Sequence, residues 1–70
     1  MKGKNKFTQL EINELIRLIE LRNQTESKKQ KPIRDKMRKL GFYGRDDWGI
    51  IDLQVNDLID LIEKNRITVF

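Results

Sequence analysis

From Phe7 onward the chain alternates between apolar stripes at helical spacing and short polar breaks. Ile12, Leu15, Ile16 and Ile19 recur at i, i+3, i+4 and i+7, the spacing of one buried helix face. Thr8 and Glu11 precede most of this stripe as a T-x-x-E capping box, in which each side chain accepts the other residue's free backbone N–H. The pattern predicts a first helix from Thr8 to about Arg22. Leu10, Leu18 and Leu21 fall outside that stripe, on a second flank edged by Glu14 and Arg17. A helix that is apolar on two flanks is either central to its fold or meets another chain.

"NQTES", Asn23 to Ser27, breaks the first helix. Ser27 and Gln30 repeat the capping-box spacing, but Pro32 lacks an N–H and pushes Lys31 out of the α region. Proline sits best as the first helical residue. The expectation is therefore a loose or 3₁₀ turn from Ser27, then a firm helix from Pro32 to Leu40 with Ile33, Met37 and Leu40 inward. Gly41 supplies the left-handed stop, and Phe42 folds back toward Met37. "YGRDDWGII", Tyr43 to Ile51, reads as a glycine-bounded loop with room for a short strand at its end.

A third helix starts between Asp52 and Asn56. It places Val55, Leu58, Ile59, Leu61 and Ile62 on one face, and Asn56, Asp57, Asp60, Glu63 and Lys64 on the other. Asp60 and Lys64 are spaced for an ion pair worth about 0.3 kcal/mol. Asn65 suits a left-handed stop. Arg66 to Phe70, "RITVF", alternates β-branched residues and reads as a short strand. Its backbone groups need a partner, expected at Ile50–Leu53 or Phe42–Tyr43.

These elements predict a mainly α (α+β) chain: a compact three-helix domain over residues 7–70, with one short strand pair involving the C-terminal strand. The expected core is Ile12, Leu15, Ile16, Ile19, Ile33, Met37, Leu40, Phe42, Trp48, Leu58, Ile59, Ile62 and Ile67. "MKGKNK", residues 1–6, is polar and basic and is expected to be a disordered arm.

Seventy residues bury only about 60% of the surface that the unfolded chain exposes. With no cysteine and no histidine, the chain has no disulfide framework, no thiol nucleophile and no imidazole base or ligand. Ser27, the one serine, is explained by a helix start. No phosphate loop of the G-x-x-x-x-G-K-[ST] or G-x-G-x-x-G type occurs. We therefore expect no enzyme, cofactor, metal or small-molecule substrate. Apolar runs are short and broken by charge, so no signal peptide, membrane span or membrane partner is expected, and the address should be cytoplasmic.

Charge changes the picture more than composition does. The net charge is +4, but residues 1–6 carry +3, residues 7–22 carry −1, residues 23–40 carry +5 and residues 41–70 carry −3. Lys28, Lys31, Arg34, Arg38 and Lys39 fall opposite Ile33, Met37 and Leu40 around the second helix. Such a row suits a phosphate backbone or a major groove. Lys4 and Lys6 of the arm and Arg45 of the loop could join it. The expected function is thus a small non-enzymatic module that binds DNA or RNA. The same cations would serve equally as a solvated outer face.

Tyr43 and Trp48 beside Arg45 could stack on unpaired bases, although a core this small favours burying the tryptophan. Asp46 and Asp47 are too few for a calcium or magnesium site. The rival is a protein-interaction or homodimerisation module using Leu10, Leu18 and Leu21 together with opposed charged faces. In the ordinary alternative, the acidic third helix simply lies against the basic second one.

The runs "SKKQKPIRDKMRKLGFY" and "NDLIDLIEKNRITV" resemble a pattern found in short bacterial proteins. That resemblance implies a compact three-helix domain and brings no activity with it.

Overall fold

Thr8 opens the longest helix in the way its spacing predicts. The Glu11 backbone N–H donates to Thr8 Oγ1 at 3.1 Å, and the Thr8 N–H donates to Glu11 Oε1 at 2.9 Å. In this computed structural model, which describes Met1 to Phe70, the chain order is β1 (Lys6–Phe7), α1 (Gln9–Asn23), a 3₁₀ turn (Ser27–Lys29), α2 (Lys31–Lys39), α3 (Gly44–Trp48), α4 (Val55–Glu63) and β2 (Thr68–Val69). The mainly α class holds, with one helix more than the pattern announced. No helix is long and apolar enough to cross a membrane.

Helix α1 is the centre of the packing. α2, α4 and β1 all rest on it, and α2 and α4 make no comparable contact with each other. Ile12, Leu15 and Ile19 are buried, as is Leu18 at 1% exposure. The second flank is therefore mixed: Leu18 belongs to the core, while Leu10 is 80% exposed and Leu21 is open to solvent. Leu18 cannot take part in an association surface, which corrects the expectation that grouped the three leucines.

The chain makes the expected 3₁₀ turn over Ser27–Lys29, but α2 begins at Lys31, one residue before Pro32. The residue expected outside the α region is therefore helical, and the proline stands second in the first turn. Gln30 does something else than complete a second capping box. Its side-chain N–H group donates to the carbonyls of Arg22 at 3.0 Å and Thr25 at 2.9 Å, closing the end of α1. Gly41 stops α2 at φ +100°. The Gly41 N–H donates to the Arg38 carbonyl at 2.9 Å and the Phe42 N–H to the Met37 carbonyl at 3.1 Å, the paired bonds of a Schellman stop. Phe42 is buried beside Met37 in the core.

Two expectations fail between Tyr43 and Phe70. The glycine-bounded loop winds into α3, which Gly49 ends at φ +69°. The final strand pairs with neither Ile50–Leu53 nor Phe42–Tyr43. It runs parallel to β1, with Lys6 opposite Thr68 and Phe7 opposite Val69. The Thr68 N–H donates to the Asn5 carbonyl at 2.8 Å, and the Phe70 N–H to the Phe7 carbonyl at 3.0 Å. Phe7 and Ile67 are thereby carried into the core, and the Phe7 ring meets Phe42 at 6.4 Å between centroids.

The partner strand comes from the segment read as a free arm, and that reading changes accordingly. The N–H groups of Lys2 and Gly3 donate to the Asp47 carboxylate at 2.7 and 2.8 Å. The Lys4 N–H donates to the Gly41 carbonyl at 2.9 Å. Gly3 lies so close that a Cβ there would stand 2.1 Å from the Gly41 carbonyl oxygen and 2.8 Å from the Tyr43 ring. Five backbone groups of residues 2–7 thus find partners, which offsets the ordering entropy of a short polar segment.

The core also differs in detail. Leu53 and Leu61 are buried beside the expected Leu58; Ile16, Leu40, Trp48 and Ile62 are half-buried, and Ile59 is exposed. α4 starts because the Asp57 carboxylate accepts the Gln54 N–H at 2.8 Å. The Asp60–Lys64 ion pair forms at 3.0 Å, and Asn65 is left-handed at φ +59°.

Leu18→Ala should therefore lower unfolding free energy by about 2–5 kcal/mol in a denaturant titration. Leu10→Ala should stay within about 0.5 kcal/mol of the parent. Equal effects would mean that Leu18 is not in the core. A second expectation concerns Asp47. Partial burial pushes its carboxyl up, but the Lys2 and Gly3 N–H groups and the nearby terminal and Lys2 charges outweigh this and hold it below the ordinary aspartate value. The clasp therefore contributes stability above the unfolded aspartate pKa and loses it as pH falls through the lower folded value. The Gly3 amide NMR signal should titrate with that depressed midpoint and lose the transition in Asp47→Ala. A midpoint at or above the ordinary aspartate value would disprove the clasp.

Candidate nucleic-acid interface

Ile33 and Met37 fix one side of α2 in the core, and this decides where its cations go. Lys31, Arg34, Arg38 and Lys39 are exposed on α2, and Lys28 is exposed on the preceding 3₁₀ turn. Of these five, only Arg38 forms an ion pair, with Asp35 of its own helix at 3.2 Å. Two acids of α4 are occupied locally, Asp60 by Lys64 and Asp57 by the Gln54 N–H, and none of that helix's acids pairs with a cation of α2. The acidic helix does not neutralise the basic one.

The remaining predicted cations divide. Lys6 is exposed on β1 and Arg45 on α3. Lys4 is engaged: its Nζ lies 2.8 Å from a Glu11 carboxylate oxygen and 5.1 Å from the Phe7 ring centroid. That lysine is the main reason why the Glu11 carboxyl lies below its ordinary range, helped by the Thr8 N–H. A segment bound in this way is not an arm free to follow a groove. Seven residues separate α1 from α2 and include a 3₁₀ turn, against the 3–4-residue turn of a helix-turn-helix.

Arg34 and Arg38 also form one wall of a cleft of about 210 Å³. Arg45 and Asp46 of α3 and Tyr43 face them, and Arg22 reaches in from the last turn of α1. The base of the cleft is apolar: Met37, Phe42 and Leu53 are buried there, and Ile50 is half-buried. Ile51 stands exposed at its edge. Arg38 and Arg22 are paired with Asp35 and Asp52, so the positive charge of this hollow is carried by Arg34 and Arg45, above an apolar floor. Lys28, Lys31, Lys39, Lys4 and Lys6 lie outside it.

Arg22 is the residue that sequence reasoning left out. Its side chain is only 14% exposed. Its Nη1 donates to Asn23 Oδ1 at 2.8 Å and to the Leu53 carbonyl at 3.3 Å, and it lies 3.6 Å from an Asp52 carboxylate oxygen. Nothing in the α1 pattern connects it to α2; the connection is made by Leu53, thirty-one residues later.

The aromatic pair splits. Trp48 is half-buried, with the Arg66 guanidinium 5.5 Å from its ring centroid and its buried Nε1 without a partner. Tyr43 is half-buried and lines the cleft. Asp46 and Asp47 point to separate tasks: Asp46 pairs with Lys2 at 3.4 Å, and Asp47 holds the Lys2 and Gly3 backbone. The geometry therefore brings together Arg34, Arg38 and Arg45 with Arg22 and Tyr43. No family model, curated protein or solved structure matches this chain.

Proposed function

We propose that the protein is a small non-enzymatic, cytoplasmic nucleic-acid-binding module whose contact surface is the outward side of α2. The observation that carries this reading is the free state of its cations. Lys31, Arg34 and Lys39 have no carboxylate partner, and no ion pair joins α2 to the acids of α4. Unpaired cations in a row release counterions when they meet a phosphate backbone, and this supplies affinity without sequence information. Arg34 and Arg38 are the residues able to add base contacts, because the guanidinium fork matches paired acceptors.

Self-association is less well supported. Leu10 and Leu21 lie three helical turns apart on one face of α1, but Glu14 and Arg17 fall between them and form an ion pair. Two separated leucines bridged by charge make no continuous apolar patch.

A gel-shift titration against mixed duplex DNA and RNA at two salt concentrations tests the proposal. Log affinity should fall with log salt by about 0.9 per phosphate contact on duplex DNA. Arg34→Ala should reduce that slope by about one contact, whereas Lys64→Ala on α4 should leave binding unchanged. Absence of any retention at low salt would end the proposal.

A further inference from the structure

We infer that the cleft beneath Arg34 and Arg38 accepts one unpaired base, so that the protein selects single-stranded over duplex nucleic acid. This rests on the nucleic-acid reading above and deepens it. A surface that only held phosphates would need a ridge of cations. Here three elements instead converge on a hollow, with Arg22 from α1, Arg34 and Arg38 from α2 and Arg45 from α3 around it.

The floor decides what enters. Half-buried Ile50 and exposed Ile51, backed by the buried Met37, Phe42 and Leu53, offer apolar surface that a phosphate would only desolvate against, but that the face of a base can cover. Tyr43 adds a π-face to the wall, and bases stack on aromatic rings and on guanidinium planes alike. Arg22 is already fixed by the Leu53 carbonyl and Asn23, so little of its side-chain freedom remains to be lost on binding.

Size narrows the ligand further. About 210 Å³ falls below the range of about 300–1,000 Å³ that encloses drug-sized ligands, and suits a single ring system. Asp46 is the one carboxylate on the cleft. It can accept from the exocyclic amine or ring N–H of a base while the arginines take the adjoining phosphates. In a duplex those base edges are paired and stacked, so only the outer phosphates would reach the rim.

The test uses fluorescence anisotropy on the whole chain at low salt, with four probes: a short single-stranded DNA, a single-stranded RNA, their duplex DNA counterpart and an abasic strand of equal phosphate number. The expected result is about five- to hundredfold tighter binding of the base-bearing strands than of the duplex or abasic probe. Tyr43→Ala, checked for folding by circular dichroism, should bind the base-bearing strand only as tightly as the parent binds the abasic one. The DNA and RNA arms identify which sugar the site prefers. Equal, salt-sensitive binding of all four probes would overturn the cleft and leave the cationic surface standing. No binding of any probe would remove both.

Discussion

Ile12, Leu15, Leu18 and Ile19 form one broad buried face of α1, and α2, α4 and β1 all rest on that helix. α2 and α4 both pack on α1 and make far less contact with each other. That arrangement bears on the electrostatics as much as on the packing. The basic segment and the acidic one form no ion pair with each other, although their charges would favour it in solution. Each satisfies its charge within itself or leaves it to water. Asp60 takes Lys64 and Asp35 takes Arg38, and the remaining cations of α2 are left facing outward.

The cleft follows from the same arrangement. The side of α2 that carries Arg34 and Arg38 is faced by the chain between Tyr43 and Leu53. This segment is short and would be poorly held by itself, because α3 has only five residues. It is fixed from behind by the N-terminal residues: Asp47 holds the Lys2 and Gly3 backbone, Gly3 fits against Gly41 and Tyr43, and Phe7 packs on Phe42. The lysines of residues 1–6 thus sit beside the cationic surface for a structural reason, and their backbone matters more than their charge.

The helices were legible because their signals are local. Thr8 with Glu11, Pro32 in the first turn of α2, Gly41 before Phe42, and Asn65 after α4 each act within a few residues, and each does what its chemistry requires. What escaped depends on distance along the chain. β1 has two residues and no apolar alternation of its own, and it exists because β2 lies beside it sixty-two positions later. α3 looked like a loop because Gly44 and Gly49 bracket it, yet Gly49 serves as its left-handed stop. Leu18 looked like half of a surface because helical spacing assigns a flank without saying what covers it. In the cleft, Arg34, Arg38 and Arg45 could be named from sequence; Arg22 could not, since its place is set by the Leu53 carbonyl.

The parallel sense of β1 and β2 has a mechanical consequence. Tension entering before β1 and leaving after β2 pulls the two strands along their own axes in opposite directions. The bonds from Thr68 to Asn5 and from Phe70 to Phe7 are then loaded together, in shear, instead of opening one after another like a zip. A stretch of backbone only a few residues long acts as a clasp across the whole fold, and Phe7 and Ile67 must leave their buried sites before the helices can be drawn out.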